Sequence, residues 1–299
     1  MARPTAPRRW RLTDRTLELD RPLGAGIVNV TTDSMFEGAR SGTPGQAIAD
    51  GVALAEAGFD MLDVGAVAAR SGPPVPPAEE AERLAPAIAG LAERAELPVS
   101  ADTFSADVAA AALDAGAVAI NDISGGAEAR LFDLAADRGC GYVLMHIEGP
   151  PREDREAHRF DDPVDHLKGW FSERIDAALA AGMDEEQIVI DPGIDFGLGV
   201  TQGLEILRRL GELRDLGRPV YISLSRKDLL GAVLAGSWDA RLPAEEREWA
   251  TCAATALAAA AGAELHRLHD ASALQAMRIA AAIQFGEGAA RPHAEATSG

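Results

Sequence analysis

Residues 112–124, ALDAGAVAINDIS, run from the last turn of an alanine-rich helix through Gly116 into a short apolar stretch that stops on Asn121 and Asp122. A glycine just past a helix suits the left-handed backbone position, which a β-branched residue tolerates poorly. The pattern recurs at 53–65 (ALAEAGFDMLDVG), 134–146 (LAADRGCGYVLMH), 178–193 (ALAAGMDEEQIVIDPG) and 258–270 (AAAAGAELHRLHD). Each repeat predicts helix, cap, strand.

Working outward gives eight candidate strands: GIVNV, MLDVG, PVSADT, AVAIND, YVLMH, IVID, VYISLS and ELHRLH. They are rich in Val, Ile and Leu without strict alternation, as strands covered on both faces are. Helix starts are marked by Thr43-Pro44 and by Ser105. Eight strands alternating with helices predict an α/β protein, a (β/α)8 TIM barrel, with an open doubly wound sheet as the other arrangement. The segment RRWRLTDRTLELDRP alternates polar and apolar residues and reads as an N-terminal β-hairpin closing the barrel's N-terminal end. The expected division is therefore a hairpin or arm over 1–21, one barrel domain over 22–286, and a disordered tail over 287–299 without periodicity. The Pro-rich stretches SGPPVPPAEE and GPPREDREAHR follow the second and fifth strands, as long loops on one face.

The chain has 299 residues, with 28 Lys+Arg against 47 Asp+Glu and a net charge of -19. That balance argues against nucleic acid and against an anionic membrane as partner. Cys140 and Cys252 show no metal-ligand spacing and read as buried small apolar residues. The start MARPTAPRRWRL has no apolar run behind it, and the apolar stretch ATALAAAAGA is too short to cross a bilayer, so a cytoplasmic protein is expected.

In a barrel the C-terminal strand ends form the site. Here they carry Asn29, Asp63, Asp102, Asn121, Asp122, His146, Asp191, Arg226, Lys227, Arg267, His269 and Asp270. Polar residues at strand ends are common, but these sort into two chemical kinds. Asp102, Asn121, Asp191 and Lys227 can grip a flat heterocycle with amino, ring N–H and carbonyl edges. Arg267 and protonated His269 donate to phosphate oxygens, and Asn29 can ligate a Mg2+ that such a phosphate brings. The cations within GRPVYISLSRKDLLG (217–231) thus ring the mouth of a barrel built for an anionic substrate.

GIVNVTTDS, DVGAVAARSG, SADT, NDISGG, VLMHIEG, IDPGIDFG, SLSRK and HRLHD, in that order, resemble the dihydropteroate synthase family of pterin-binding proteins over about residues 22–286. The resemblance implies transfer from 6-hydroxymethyl-dihydropterin pyrophosphate to p-aminobenzoate, with Mg2+, in a homodimer. It implies that Asp102, Asn121, Asp191 and Lys227 hold the pterin with Met145 against its ring. Asn29, Arg267 and His269 take the pyrophosphate and its Mg2+, and Lys227, Arg267 and His269 form the catalytic set. Phe196, Arg70, Arg226 and Asp228 are implied in substrate binding. Against the family pattern, Thr32 stands for Pro, Met35 for Phe, Val67, Ala68 and Ala69 for polar loop residues, Asp195 for Gly and Leu198 for Lys. Asp228 stands where Ser is common, beside the helix start that receives the aminobenzoate carboxylate, and is expected to repel it unless Arg226 or Arg70 neutralises it. Tyr221 and Ser223 are larger or more polar than usual there and are expected to alter the pterin slot. The alternative reading is a divergent pterin-binding paralogue with a different acceptor or little catalysis.

Overall fold

The computed structural model describes residues 8–30, 42–68, 72, 74–153, 157–286 and 288. Strands β1 (Arg8–Arg11) and β2 (Thr16–Leu19) form the antiparallel hairpin, Arg8 opposite Leu19 and Arg11 opposite Thr16. Then β3 (Leu23–Asn29), α1 (Pro44–Glu56), β4 (Met61–Gly65), α2 (Pro77–Arg94), β5 (Val99–Asp102), α3 (Ala106–Asp114), β6 (Ala119–Asp122) and α4 (Arg130–Arg138) alternate. The pattern continues through β7 (Gly141–Met145), α5 (Pro163–Ala180), β8 (Ile188–Asp191), α6 (Val200–Arg208), β9 (Tyr221–Ile222), α7 (Asp228–Ala235), α8 (Glu248–Ala261), β10 (Leu265–Leu268) and α9 (Ala271–Phe285). The eight strands from β3 on are all parallel, in the spatial order β8-β7-β6-β5-β4-β3-β10-β9. A parallel bridge between Ile190 and Val220 joins β8 to the start of β9 and brings the ends of the sheet together as a barrel. No helix among the described residues is long and apolar enough to cross a membrane.

The caps follow the local chemistry only in part. Thr43 caps α1, its hydroxyl accepting from the Gln46 amide at 3.3 Å, with Pro44 at the first helical position. Ser105 precedes α3 without a side-chain cap bond; the Glu128 carboxylate takes the Ala106 amide instead, at 3.0 Å. The seventh strand is shorter than VYISLS suggests. After Ile222 the chain turns, with Arg226 at φ 59 and the Lys227 amide donating to Leu224 at 3.3 Å, so Ser223 to Lys227 form a loop at the mouth.

Alternation within the strands becomes plain once the barrel closes. Leu62, Val64, Val99 and Ala101 pack outward against helices, whereas Met61, Ala119, Val143, Val189, Tyr221 and Leu265 point inward with Leu23 and Ala25. That inner layer is sealed from below by the hairpin. Trp10 and Leu12 are buried in it, and the Trp10 indole donates to the Gln187 carbonyl at 2.9 Å. Tyr221 therefore belongs to the apolar floor rather than to the rim. Cys140 is buried as expected, which pushes its thiol up to about 12, while Cys252 is only half-buried on α8.

Candidate active site

Two residues further along the strands, the inward side chains change from apolar Met61, Ala119, Val189 and Leu265 to polar Asp63, Asn121, Asp191 and Arg267. Asp63, buried on β4, accepts from the Ser100 hydroxyl at 2.5 Å, from the Asn121 amide at 3.0 Å and from Arg267 Nε at 2.5 Å. The other edge of the Arg267 guanidinium donates to Asp102 at 2.7 Å. One cation is thus held between two carboxylates in the barrel axis. Asp191, at the end of β8, accepts from the Gly193 amide at 2.8 Å. Only glycine fits at 193, because a Cβ there would lie 1.8 Å from the His146 carbonyl oxygen, and its φ is 64.

Burial dominates the electrostatics of the layer. It pushes Asp102 up to about 7 against the opposing pull of Arg267, with Asp63 adding to the rise, and pushes Asp191 up to about 6 against the Gly193 amide, Lys227 and Arg267. Both carboxyls therefore titrate close to neutrality. An apolar wall of Ile123, Met145, Ile147 and Phe196, with Phe104 beside it, lies against this polar ring. The Lys227 ammonium stands 4.4 Å from the Phe196 ring centroid, a cation–π contact.

At the rim, His269 Nδ1 lies 2.9 Å from the Ser225 hydroxyl. Burial, Arg267, Arg226 and Lys227 together bring its pKa down to about 3. Burial first, and then the three neighbouring cations, favour a neutral imidazole at His269, where the sequence led to the expectation of a protonated donor. Arg226 is gripped by Asp270, Nη2 lying 2.9 Å from each carboxylate oxygen. Asn29 ends β3, half-buried.

Asp228 departs most from expectation. Its carboxylate is buried and paired with Arg247 at 2.6 Å and Arg241 at 3.3 Å, so neither Arg226 nor Arg70 is needed to neutralise it. A second carboxylate at the start of α7 is Asp195, whose two oxygens lie 3.2 and 3.3 Å from the Leu229 amide. Arg70, Thr32, Met35 and Ala69 lie outside the described residues. Sequence reasoning placed Asp63 at a strand end without giving it a role, and passed over Ser100 and Ser225. Asp63 could have been found by parity, since it lies two residues after the inward Met61. The Ser225 contact with His269 spans 44 residues and leaves no local signal.

A parallel barrel that gathers two carboxylates, an amide and an ammonium around an apolar wall, with arginines and an imidazole at the rim, defines an enzyme acting on a small polar heterocycle that carries an anion. Residues 25–269 match the family described as pterin binding enzyme, and the chain belongs to that family. It is 38% identical to the dihydropteroate synthase of Mycobacterium leprae, over 86% of this chain and 92% of that one. The solved dihydropteroate synthase of Xanthomonas albilineans in complex with 7,8-dihydropteroate superposes with a TM-score of 0.80 at 39% identity, covering 92% of this chain and 99% of that chain. The same enzyme with 4-aminobenzoic acid gives a TM-score of 0.81 at 38% identity, covering 94% and 99%.

Proposed function

We propose that the chain performs dihydropteroate synthesis, joining 6-hydroxymethyl-dihydropterin pyrophosphate to p-aminobenzoate. The aromatic amine nitrogen attacks the pterin methylene and forms the C–N bond. The C–O bond breaks, its electron pair leaves with pyrophosphate, and the amine gives up one proton. The observation that carries this reading is the buried polar layer in which Asp102, Asn121 and Asp191, set around the Asp63–Arg267 ion pair, present acceptors and an amide that match the edges of a pterin.

Within it, ionised Asp102 and Asp191 accept from the amino and ring N–H groups, Asn121 bonds the same edge, and Lys227 donates to the carbonyl or ring nitrogen. Met145 and Phe196 cover the ring face. Arg267, with Arg226 behind it, and the neutral His269 imidazole face the pyrophosphate, where guanidinium charge and an imidazole N–H stabilise the departing anion. Among the described residues no trio of carboxylate, imidazole or thiol ligands surrounds Asn29. Its amide oxygen suits a hard cation, so Asn29 would help to hold a Mg2+ brought by the pyrophosphate, and the ion would neutralise charge on the leaving group. Arg70 and Asp228 are proposed on the acceptor side, Asp228 through the α7 start that it helps to fix.

The assembly is proposed to be a homodimer. Leu204, Leu207, Leu230, Val233, Leu234 and Leu257 line an apolar groove between α6, α7 and α8, and Leu257 is 71% exposed. Ordered calorimetric titration tests the site. Pterin pyrophosphate with Mg2+ should bind first and p-aminobenzoate only afterwards. Binding of p-aminobenzoate to the protein alone, as tightly as to the complex, would contradict the assignment.

A further inference from the structure

A second polar cluster lies beside the pterin site and takes no part in it. His146 follows β7, Glu148 lies two residues on, and His166 projects from the first turn of α5. His146 Nε2 is 2.9 Å and His166 Nε2 2.8 Å from the same Glu148 oxygen, and the three atoms fall within 4.8 Å of one another. Tetrahedral zinc, with bonds of about 2.0–2.2 Å, sets its ligand atoms roughly 3.3–3.5 Å apart, so each contact needs to open by only about half an ångström.

As a purely hydrogen-bonded cluster the arrangement is poorly satisfied. A neutral imidazole has one N–H, and donation to Glu148 places it on Nε2. His146 Nδ1 is then a bare lone pair, fully buried and without a hydrogen-bond partner, lying against the Pro192 carbonyl but outside bonding geometry. A cation at Nε2 reverses the tautomer: the lone pair goes to the metal and an N–H turns toward the carbonyl, the usual outer partner of a metal-bound histidine.

The rings are also fixed in advance. His166 stacks on Phe160 with centroids 3.5 Å apart, and His146 meets Trp170 edge-on at 5.0 Å. We propose that His146, Glu148 and His166 bind one zinc ion that ties the start of the loop after β7 to α5. Two imidazoles and one carboxylate suit zinc, while magnesium prefers oxygen ligands alone, so this site is separate from the Mg2+ of the pyrophosphate.

The test uses the untagged full chain, stripped with chelator and titrated with Zn2+ in a large excess of Mg2+, with Co2+ as the spectroscopic probe. One Zn2+ per chain is expected, raising the melting temperature, and Co2+ should show the intense ligand-field bands of a four-coordinate ion. Loss of an outer partner alone costs about 10–100-fold in metal affinity, so His166→Ala should weaken binding at least about tenfold. His166→Cys, which restores a ligand, should recover it. No stoichiometric uptake, or uptake unchanged in His166→Ala, would overturn the proposal and leave a hydrogen-bonded clamp.

Discussion

Asp63 reaches into the barrel from the middle of β4, and its carboxylate holds a serine, an asparagine and an arginine that come from three other strands. Removing its charge has two consequences. Arg267 keeps only Asp102 as a partner, and Asp102, which Asp63 pushes upward, titrates at lower pH. In the native chain, Asp102 near about 7 and Asp191 near about 6 must be ionised to accept from a pterin. Pterin affinity should therefore fall as the pH drops through 7 and then 6, and binding near neutrality should release protons. In Asp63→Asn the limb assigned to Asp102 should move to lower pH even as turnover falls. Calorimetry in buffers of different ionisation enthalpy measures both; a pterin affinity that is flat from pH 5 to 8 would show that the carboxylates are not the acceptors.

At the scale of the element, the start of α7 shows what could and could not be read in the sequence. The helix-glycine-strand repeats were legible because a helix end is settled by the few residues that form it: Gly58, Gly116, Gly139, Gly182 and Gly262 all have positive φ. The cap on α3 was not, since Glu128 reaches it from another loop, and neither was the pairing of Asp228 with Arg247, the residue just before α8. Asp195 was visible as an oddity, yet only the fold shows that it lies on the amide at the start of α7. In the proposed reading the acceptor carboxylate docks at that helix start, where Asp195 would compete with it for the positive end of the helix. A charge at such a terminus is worth about 0.3–1 kcal/mol, a factor of about two to five in affinity. Asp195→Gly also relaxes a non-glycine residue at φ 72. Its expected result is a KM for p-aminobenzoate lowered by about that factor without loss of stability; an unchanged KM would place the acceptor elsewhere.

For the molecule as a whole, the barrel separates support from chemistry along its axis. The hairpin presses Trp10 and Leu12 into an apolar floor, the next layer is polar, and the rim is cationic in a chain of net charge -19. The floor follows from inward parity and could be read once eight strands were counted, whereas the ion pairs above it join β4, β5 and β10, residues 165 and 204 apart in sequence. The apolar face on α7 and α8 belongs to this scale too. Leu257→Glu should give a monomer in sedimentation experiments, and a native chain already monomeric at micromolar concentration would exclude the homodimer. The most direct test of the account is turnover: the native chain with pterin pyrophosphate, p-aminobenzoate and Mg2+, with dihydropteroate and pyrophosphate both measured. One pyrophosphate for each dihydropteroate is predicted, with the rate reduced at least about a hundredfold in Arg267→Ala, where one charge-assisted contact to the leaving group is lost. Tight binding of the pterin pyrophosphate with no dihydropteroate formed would contradict it.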